Sequence, residues 1–130
     1  MSMRAAAMLG AVLAFAAGAA PAGAHPGEAV HARCLGCHAL AYDRTGPHHC
    51  GLFGRRAGSV PGFAYSEAMK RSDIVWTART LDRFLANPPK AMPGTSMTYA
   101  GVSDRAERTA LIDYLKQVNG TPACELSRHR

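Results

Sequence analysis

The sequence contains no internal repeat, no low-complexity run and no linker long enough to separate two domains. Its 130 residues therefore predict a single folded domain. No segment alternates apolar and polar residues with a period of two, so a β-sheet is not expected. After the N-terminal two dozen residues there is no second long apolar run. Nothing beyond the N-terminus therefore predicts a membrane-spanning helix.

The N-terminal segment has the composition of an export signal. Arg4 supplies a positive charge, residues 5–20 are almost all apolar or small, and the sequence PAGA follows. These features predict a signal peptide over residues 1–24 that is cleaved after Ala24, leaving a mature domain over residues 25–130. An uncleaved membrane anchor is the alternative, but the apolar run is short beside the roughly 20 residues that span a bilayer.

Helical periodicity and capping signals predict an all-α chain. In one stretch Leu81, Phe84 and Leu85 fall on the same helix face, and a pair of prolines follows its end. In a later stretch Asp104 and Glu107 have the spacing of a capping box, in which each side chain accepts from the other residue's backbone N–H. The predicted helices cover residues 27–37, 66–71, 77–87 and 104–119.

The segments between the predicted helices are long and rich in glycine, proline and serine. They cover residues 39–64 and 88–103. Loops of this length in a small ordered domain need something to pack around. A buried prosthetic group would satisfy that need.

The strongest chemical signal is the run Cys34-Leu35-Gly36-Cys37-His38. Cys-x-x-Cys-His is typical of c-type haem attachment. Two thiols one helical turn apart can form thioethers with the two vinyl groups of one porphyrin, and the next residue, His38, then lies over the iron. The run therefore predicts one covalently attached haem c with His38 as an iron ligand.

Two other interpretations of the cysteine pair find less support in the sequence. A zinc site would need a second ligand pair, and His48, His49 and Cys50 are too crowded for a zinc ribbon or finger. A thioredoxin-like redox pair would need a βαβ context. No strand is predicted, so haem attachment is favoured over both.

The second axial ligand of the iron is not selected by spacing alone. Local context favours Met97, because it ends an irregular loop, Pro93 to Met97, directly after a helix that is followed by prolines. Thr95 can fix this loop by hydrogen bonding. The candidates are Met69, Met92, Met97, His31, His48 and His49.

Further motifs, taken in order with the haem motif, resemble class I cytochrome c of the mitochondrial type, which includes soluble periplasmic carriers of bacteria. The resemblance covers nearly all of the chain after residue 24. It implies the cytochrome c fold, a single all-α domain in which helices and long loops wrap around one covalent haem. The matching motifs are Thr45-Gly46-Pro47, Gly51-Leu52-Phe53-Gly54-Arg55, Pro61-Gly62-Phe63-Ala64-Tyr65, Trp76, Asn87-Pro88, Pro93-Gly94-Thr95-Ser96-Met97 and Leu111-Ile112-Asp113-Tyr114-Leu115.

The resemblance also implies roles for individual residues. It makes His38 the proximal and Met97 the distal iron ligand, which fills both axial positions and leaves no catalytic residue. The residues it assigns to the haem are Cys34 and Cys37 for the thioethers, His38 and Met97 for the iron, Pro47 as a carbonyl acceptor from His38, Arg55, Tyr65 and Trp76 for the propionates, and Thr95 to brace the loop of Met97.

Two cysteines remain, Cys50 and Cys124, and neither belongs to the haem motif. The resemblance places Cys50 in a loop near the end of the C-terminal helix. In an oxidising compartment spare thiols tend to pair. A Cys50–Cys124 disulfide is therefore expected.

The expected function is that of a periplasmic single-haem electron carrier between high-potential partners, and not an enzyme. The net charge of +6 predicts redox-partner proteins with acidic docking surfaces. Neither nucleic-acid binding nor stable membrane insertion after signal cleavage is expected, and the protein should be a monomer. Phe84 lacks the hydroxyl that the family usually places near the methionine sulfur. Because that hydrogen bond is missing, functions in which Met97 leaves the iron remain as alternatives. The alternatives are a haem ligand-binding sensor or peroxidase-like protein with a labile Met97, or the cytochrome subunit of a periplasmic oxidoreductase.

Overall fold

The computed structural model describes residues 23–126. Residues 1–22, which hold nearly all of the predicted signal peptide, lie outside the described residues, as do residues 127–130. The cleavage after Ala24 therefore stays a prediction. In the described part, no helix is long and apolar enough to cross a bilayer.

The described residues form helices joined by long loops, as predicted for an all-α chain. Residues 23–126 contain no β-strand, only one isolated antiparallel bridge between Arg56 and Val75. The helices are α1 (Pro26–Ala32), α2 (Glu67–Arg71), α3 (Ala78–Ala86), α4 (Pro88–Ala91), α5 (Arg105–Asn119) and α6 (Pro122–Glu125).

The first helix is shorter than predicted. It ends at Ala32, and the haem motif follows in successive turns. The N–H groups of Arg33, Cys34 and Leu35 donate to carbonyls three residues back, at 3.1, 2.8 and 3.3 Å. These hydrogen bonds, which span three residues instead of four, replace the α-helical pattern at the helix end. They are a common way to satisfy the last carbonyls of a helix. The prediction of a helix as far as residue 37 was wrong in its end.

The two prolines end one helix and begin another. Helix α3 ends at Ala86, as the prolines predicted, and Pro88 then starts α4. The Asn87 side chain accepts from the Lys90 N–H at 3.1 Å and caps this turn. Proline suits the first turn of a helix because its missing N–H would have no partner there. The prediction of a continuous loop over residues 88–103 was therefore wrong for α4.

The predicted capping box at the start of α5 is half formed. The Asp104 carboxylate accepts from the Glu107 N–H at 2.8 Å. Glu107 does not return to the Asp104 backbone, since its two carboxylate oxygens accept from the Arg33 guanidinium at 2.7 and 2.8 Å. The side chain instead links the segment after α1 to the first turn of α5.

Helices α1 and α5 cross in close contact at Gly27. A Cβ at that position would lie 1.9 Å from the carbonyl oxygen of Ala110 and 2.6 Å from Cβ of Tyr114, so only glycine fits. Around this crossing lies one apolar core. Its buried members are Val30, Leu52, Ala57, Trp76, Leu81, Phe84, Leu85, Met92, Val102, Leu111, Ile112 and Leu115.

The predicted disulfide is confirmed. Cys50 and Cys124 are bonded, with their Cα atoms 5.1 Å apart, and both residues are buried. The bond ties the loop after the haem motif to α6, and so to the end of α5. It joins residues 74 positions apart, which makes it a long-range constraint on this loop.

Candidate haem site

The haem motif presents two unpaired thiols on one turn. Cys34 is half-buried and Cys37 is exposed, and neither forms a disulfide. The N–H groups of Cys37 and His38 donate to the Cys34 carbonyl at 3.1 and 2.9 Å, which closes the turn. Burial raises the pKa of the Cys34 thiol. The two sulfur atoms are thus offered from one short, hydrogen-bonded segment.

The imidazole of His38 is fixed through one of its nitrogens. Nδ1 donates to the Pro47 carbonyl at 2.7 Å. This leaves Nε2 as the nitrogen that can ligate a metal. Burial lowers the pKa of His38, and the bond to Pro47 opposes this shift, so the ring is favoured in its neutral, ligating form.

The segment before Pro47 touches the face of this ring. A Cβ on Gly46 would lie 2.3 Å from Cε1 of His38, so a side chain at residue 46 would displace the imidazole. The backbone N–H of Gly46 also donates to the Cys37 carbonyl at 2.8 Å. The motif Thr45-Gly46-Pro47 therefore serves His38 through a close backbone approach as well as a hydrogen bond.

The residues implied for the propionates lie together. The Arg55 carbonyl accepts from the Trp76 N–H at 2.9 Å, and the Arg55 guanidinium interacts electrostatically with Tyr65. Burial lowers the pKa of Arg55 and raises that of Tyr65. The guanidinium donates to the carbonyls of His48 and Cys50 at 2.9 and 3.3 Å.

The loop that carries Met97 is held by short-range hydrogen bonds. Gly94 has φ of 86°, a conformation that glycine adopts without strain. The Thr95 N–H donates to the Met92 carbonyl at 3.1 Å, and the Met97 N–H donates to the Thr95 hydroxyl at 3.2 Å. Met97 itself is half-buried against the apolar core.

The other candidates for the second axial position have different surroundings. His31 bonds to His49 at 3.0 Å, and Nδ1 of His48 bonds to Asp43 at 2.6 Å. Met92 is only 7% exposed and belongs to the core. Met69 lies on α2, half-buried like Met97. Met97 alone of these methionines ends an irregular loop.

A zinc centre finds no support in residues 23–126. No group of three or more His, Cys, Asp or Glu side chains is placed there to hold a metal ion. The three consecutive side chains from His48 to Cys50 instead have three different partners. His48 bonds to Asp43, His49 bonds to His31, and Cys50 is in the disulfide.

One contact of the site was not predicted from the sequence. The rings of His49 and His38 are stacked, with centroids 4.4 Å apart and planes inclined by 26°. Behind His49 lies His31, which is 2% exposed. The sequence indicates these two histidines only as candidate ligands, because no local pattern relates residues 18 positions apart.

The residues at this site fit a c-type haem. Two free thiols stand on one turn, an adjacent imidazole has one nitrogen committed and the other available, and a half-buried guanidinium lies nearby. Half-buried apolar side chains that pack against the core could contact a flat apolar ligand; they are Phe53, Met69, Ile74, Met97 and Tyr99.

Comparison with known proteins agrees with this chemistry. A cytochrome c2 of Blastochloris viridis is 44% identical over 110 residues, which are 80% of this chain and 87% of that protein. A cytochrome c2 of Rhodomicrobium vannielii is 40% identical over 118 residues, 88% of this chain and 94% of that protein. No family model matches the chain.

A solved structure shares the fold. Cytochrome cH from Methylobacterium extorquens superposes with a TM-score of 0.68 at 38% identity, over 71% of this chain and 95% of that one. The sequence relatives and the structural relative agree with the motif read from residues 34–38. The chain therefore belongs to the class I cytochrome c family, as a single-haem electron carrier with one covalently attached haem c.

Proposed function

We propose that this protein shuttles single electrons between high-potential redox partners in the periplasm, with His38 and Met97 as the axial ligands of its haem. The observation that carries the proposal is the fixed presentation of Met97 on a loop braced by Thr95. A ligand held in this way keeps the second axial position closed. A closed position favours electron transfer over binding or activation of a substrate.

The haem supplies a one-electron iron couple, and ligation by histidine and methionine raises its potential. Cys34 and Cys37 attach the porphyrin. The Pro47 carbonyl fixes the tautomer of His38 and makes its free nitrogen more basic, as outer hydrogen bonds to metal ligands do.

Arg55 supports the assignment of the propionate-binding group. Its guanidinium is half-buried and donates to two main-chain carbonyls. A cation removed from water is stabilised by an anionic partner. A haem propionate beside Arg55, Tyr65 and Trp76 would supply that charge.

Export is proposed from residues 1–24, read as a cleaved signal peptide, with residues 25–130 as the mature domain. The disulfide between Cys50 and Cys124 supports an oxidising compartment, since such bonds are rare where thiols are kept reduced. Intact-mass measurement of the protein recovered from the periplasm should give a chain that begins at His25 and carries one haem. A haem-free chain that retains residue 1 would overturn the export proposal.

The partners are proposed to be proteins with acidic docking surfaces, approached by a monomer. The net charge of +6 supports electrostatic steering toward such surfaces. Neither nucleic acid nor a membrane is proposed as a partner of the mature domain. In this scheme the protein carries electrons between redox-partner proteins and is not itself an enzyme.

Carbon monoxide tests the closed axial position, because it binds ferrous haem only where a coordination site is open. We expect the reduced wild-type holoprotein to bind it slowly or not at all. Replacement Met97→Leu should allow rapid binding, whereas Met69→Leu, which changes a half-buried methionine on α2, should not. Rapid binding by the wild type would instead support a ligand-binding sensor or peroxidase-like protein with a labile Met97.

A further inference from the structure

The ring of His49 lies against the ring of His38. Their centroids are 4.4 Å apart and their planes differ by 26°. The hydrogen bond from His38 Nδ1 to Pro47 constrains one atom of the imidazole. A face-to-face contact constrains the plane of the ring as well. His49 therefore supplies a restraint that Pro47 alone does not.

His49 is itself held in one orientation by a directional contact. Its Nδ1 lies 3.0 Å from Nε2 of His31, so one of these nitrogens donates and the other accepts. His31 is 2% exposed and sits on α1, where the ring of Tyr114 packs against it with centroids 5.2 Å apart. A leucine at residue 49 could fill similar space, but no hydrogen bond would fix its rotation.

The backbone of the same segment is clamped by α5. The Asn119 side chain donates to the His49 carbonyl at 3.2 Å and accepts from the Gly51 N–H at 2.6 Å. The His49 N–H donates to the Ala39 carbonyl at 3.0 Å. The neighbouring Cys50 is covalently bound to α6. His49 is thus positioned from its main chain and from its ring at once.

We propose that His49 is a positioning residue for the haem ligand His38, that it sets the plane of the imidazole, and that His31 acts by fixing His49. The inference rests on the proposed function in one respect, that His38 ligates the iron. The plane of an axial imidazole determines its overlap with the iron orbitals. Partners that orient a metal-bound histidine accordingly tune the metal.

The test compares four single variants and one double variant of the purified holoprotein by two measurements, the electron paramagnetic resonance spectrum of the ferric haem and its midpoint potential. His49→Leu removes the ring and its hydrogen bond. His49→Phe restores a ring face without the bond, and His31→Val removes the bond and the His31 ring while the ring of His49 stays in place. His48→Asn is the matched control, since His48 is the neighbouring histidine and bonds to Asp43 instead.

His49→Leu is expected to shift the g-values and to change the ratio of reduced to oxidised protein about threefold at a fixed ambient potential, or about 30 mV for a one-electron couple. His31→Val should shift both in the same direction by less, and His49→Phe should restore part of the change. His48→Asn should leave both unchanged. A double variant at residues 31 and 49 should change no more than His49→Leu, because His31 acts through His49.

Unchanged g-values and potential in a folded His49→Leu holoprotein would overturn the proposal. If His49→Leu does not accumulate as holoprotein, the g-values and midpoint potential of His31→Val, compared with those of His48→Asn, test the proposal instead. Additive effects at residues 31 and 49 would overturn the role given to His31. These outcomes are separate from the carbon monoxide experiment, which tests the distal side.

Discussion

The guanidinium of Arg108 donates from Nε to the carboxylate of Asp82 at 2.9 Å and so joins α5 to α3. Nη1 of Arg108 also donates to the carbonyls of Val102 and Ser103, both at 2.9 Å. Arg108 is 9% exposed, whereas the Asp82 side chain is 40% exposed. One arginine therefore fixes the segment that returns from the loop of Met97 to α5.

Replacement Arg108→Met should lower the free energy of unfolding by about 2 kcal/mol, because the buried Val102 carbonyl and the half-buried bond to the Ser103 carbonyl lose their donor. Asp82→Asn should cost less than about 1 kcal/mol, since Asp82 is partly hydrated and the amide keeps an acceptor. Urea denaturation of the holoproteins measures both. Equal losses in the two variants would mean that the ion pair, rather than the bonds to the carbonyls, dominates.

The disulfide should contribute strongly to stability. Closing a loop of about 75 residues restricts the unfolded chain, and the chain-entropy model gives roughly 4 kcal/mol for it. The double variant Cys50→Ser/Cys124→Ser should lose up to that amount in chemical denaturation. Wild-type protein denatured with a reductant should match the variant.

A thiol assay provides the independent check on this bond. Denatured, unreduced holoprotein should show no reactive thiol, since Cys34 and Cys37 are thioethers and Cys50 and Cys124 are paired. Two reactive thiols per chain would contradict the disulfide.

The crossing of α1 and α5 should not tolerate a side chain at Gly27. Replacement Gly27→Ala places a Cβ against the main chain of Ala110, which cannot move without separating the helices. We expect a loss of at least about 2 kcal/mol in the free energy of unfolding. The matched control is Gly120→Ala, whose Cβ would lie 3.5 Å from the nearest atom, the Gln117 carbonyl oxygen. The control should change stability by less than about 0.5 kcal/mol, and a similar loss in both would contradict close packing as the cause.

Two basic residues, Arg33 and Lys90, should differ in their effect on electrostatic steering. Arg33 forms a two-point ion pair with Glu107, which offsets its charge. The ammonium group of Lys90 is exposed and has no ion-pair partner within residues 23–126. Lys90→Gln should therefore slow oxidation by an anionic probe more than Arg33→Gln does.

Ferricyanide serves as that anionic probe, with the rate measured by stopped flow over a range of ionic strength. We expect about a twofold slower reaction for Lys90→Gln at low salt, with a weaker salt dependence, and little change for Arg33→Gln. Equal effects of the two substitutions would show that the Glu107 pair does not offset the charge of Arg33.

Features that depend on neighbouring residues were predictable from the sequence. The haem motif of residues 34–38 was recognised because thioether attachment needs two thiols and a histidine at fixed local spacing. Helices α3 and α5 were recognised from their apolar periodicity, and Asp104 was recognised as the cap of α5. Local competition was harder to predict. Helix α1 ends where a few backbone N–H groups donate to carbonyls three residues back instead of four. Helix α4 begins at Pro88, a residue that has no backbone N–H to donate.

The sequence by itself determined the chemistry of attachment, the helical class and, through the family resemblance, the pairing of Cys50 with Cys124. Only the tertiary structure decided what surrounds the ligand. The stacking of His49 on His38, the bond from His49 to His31 and the pairing of Arg33 with Glu107 join residues that no local pattern relates. They exist because α1 crosses α5 closely at Gly27 and α5 clamps the segment around His49. This crossing and this clamp bring the side chains of distant residues into contact.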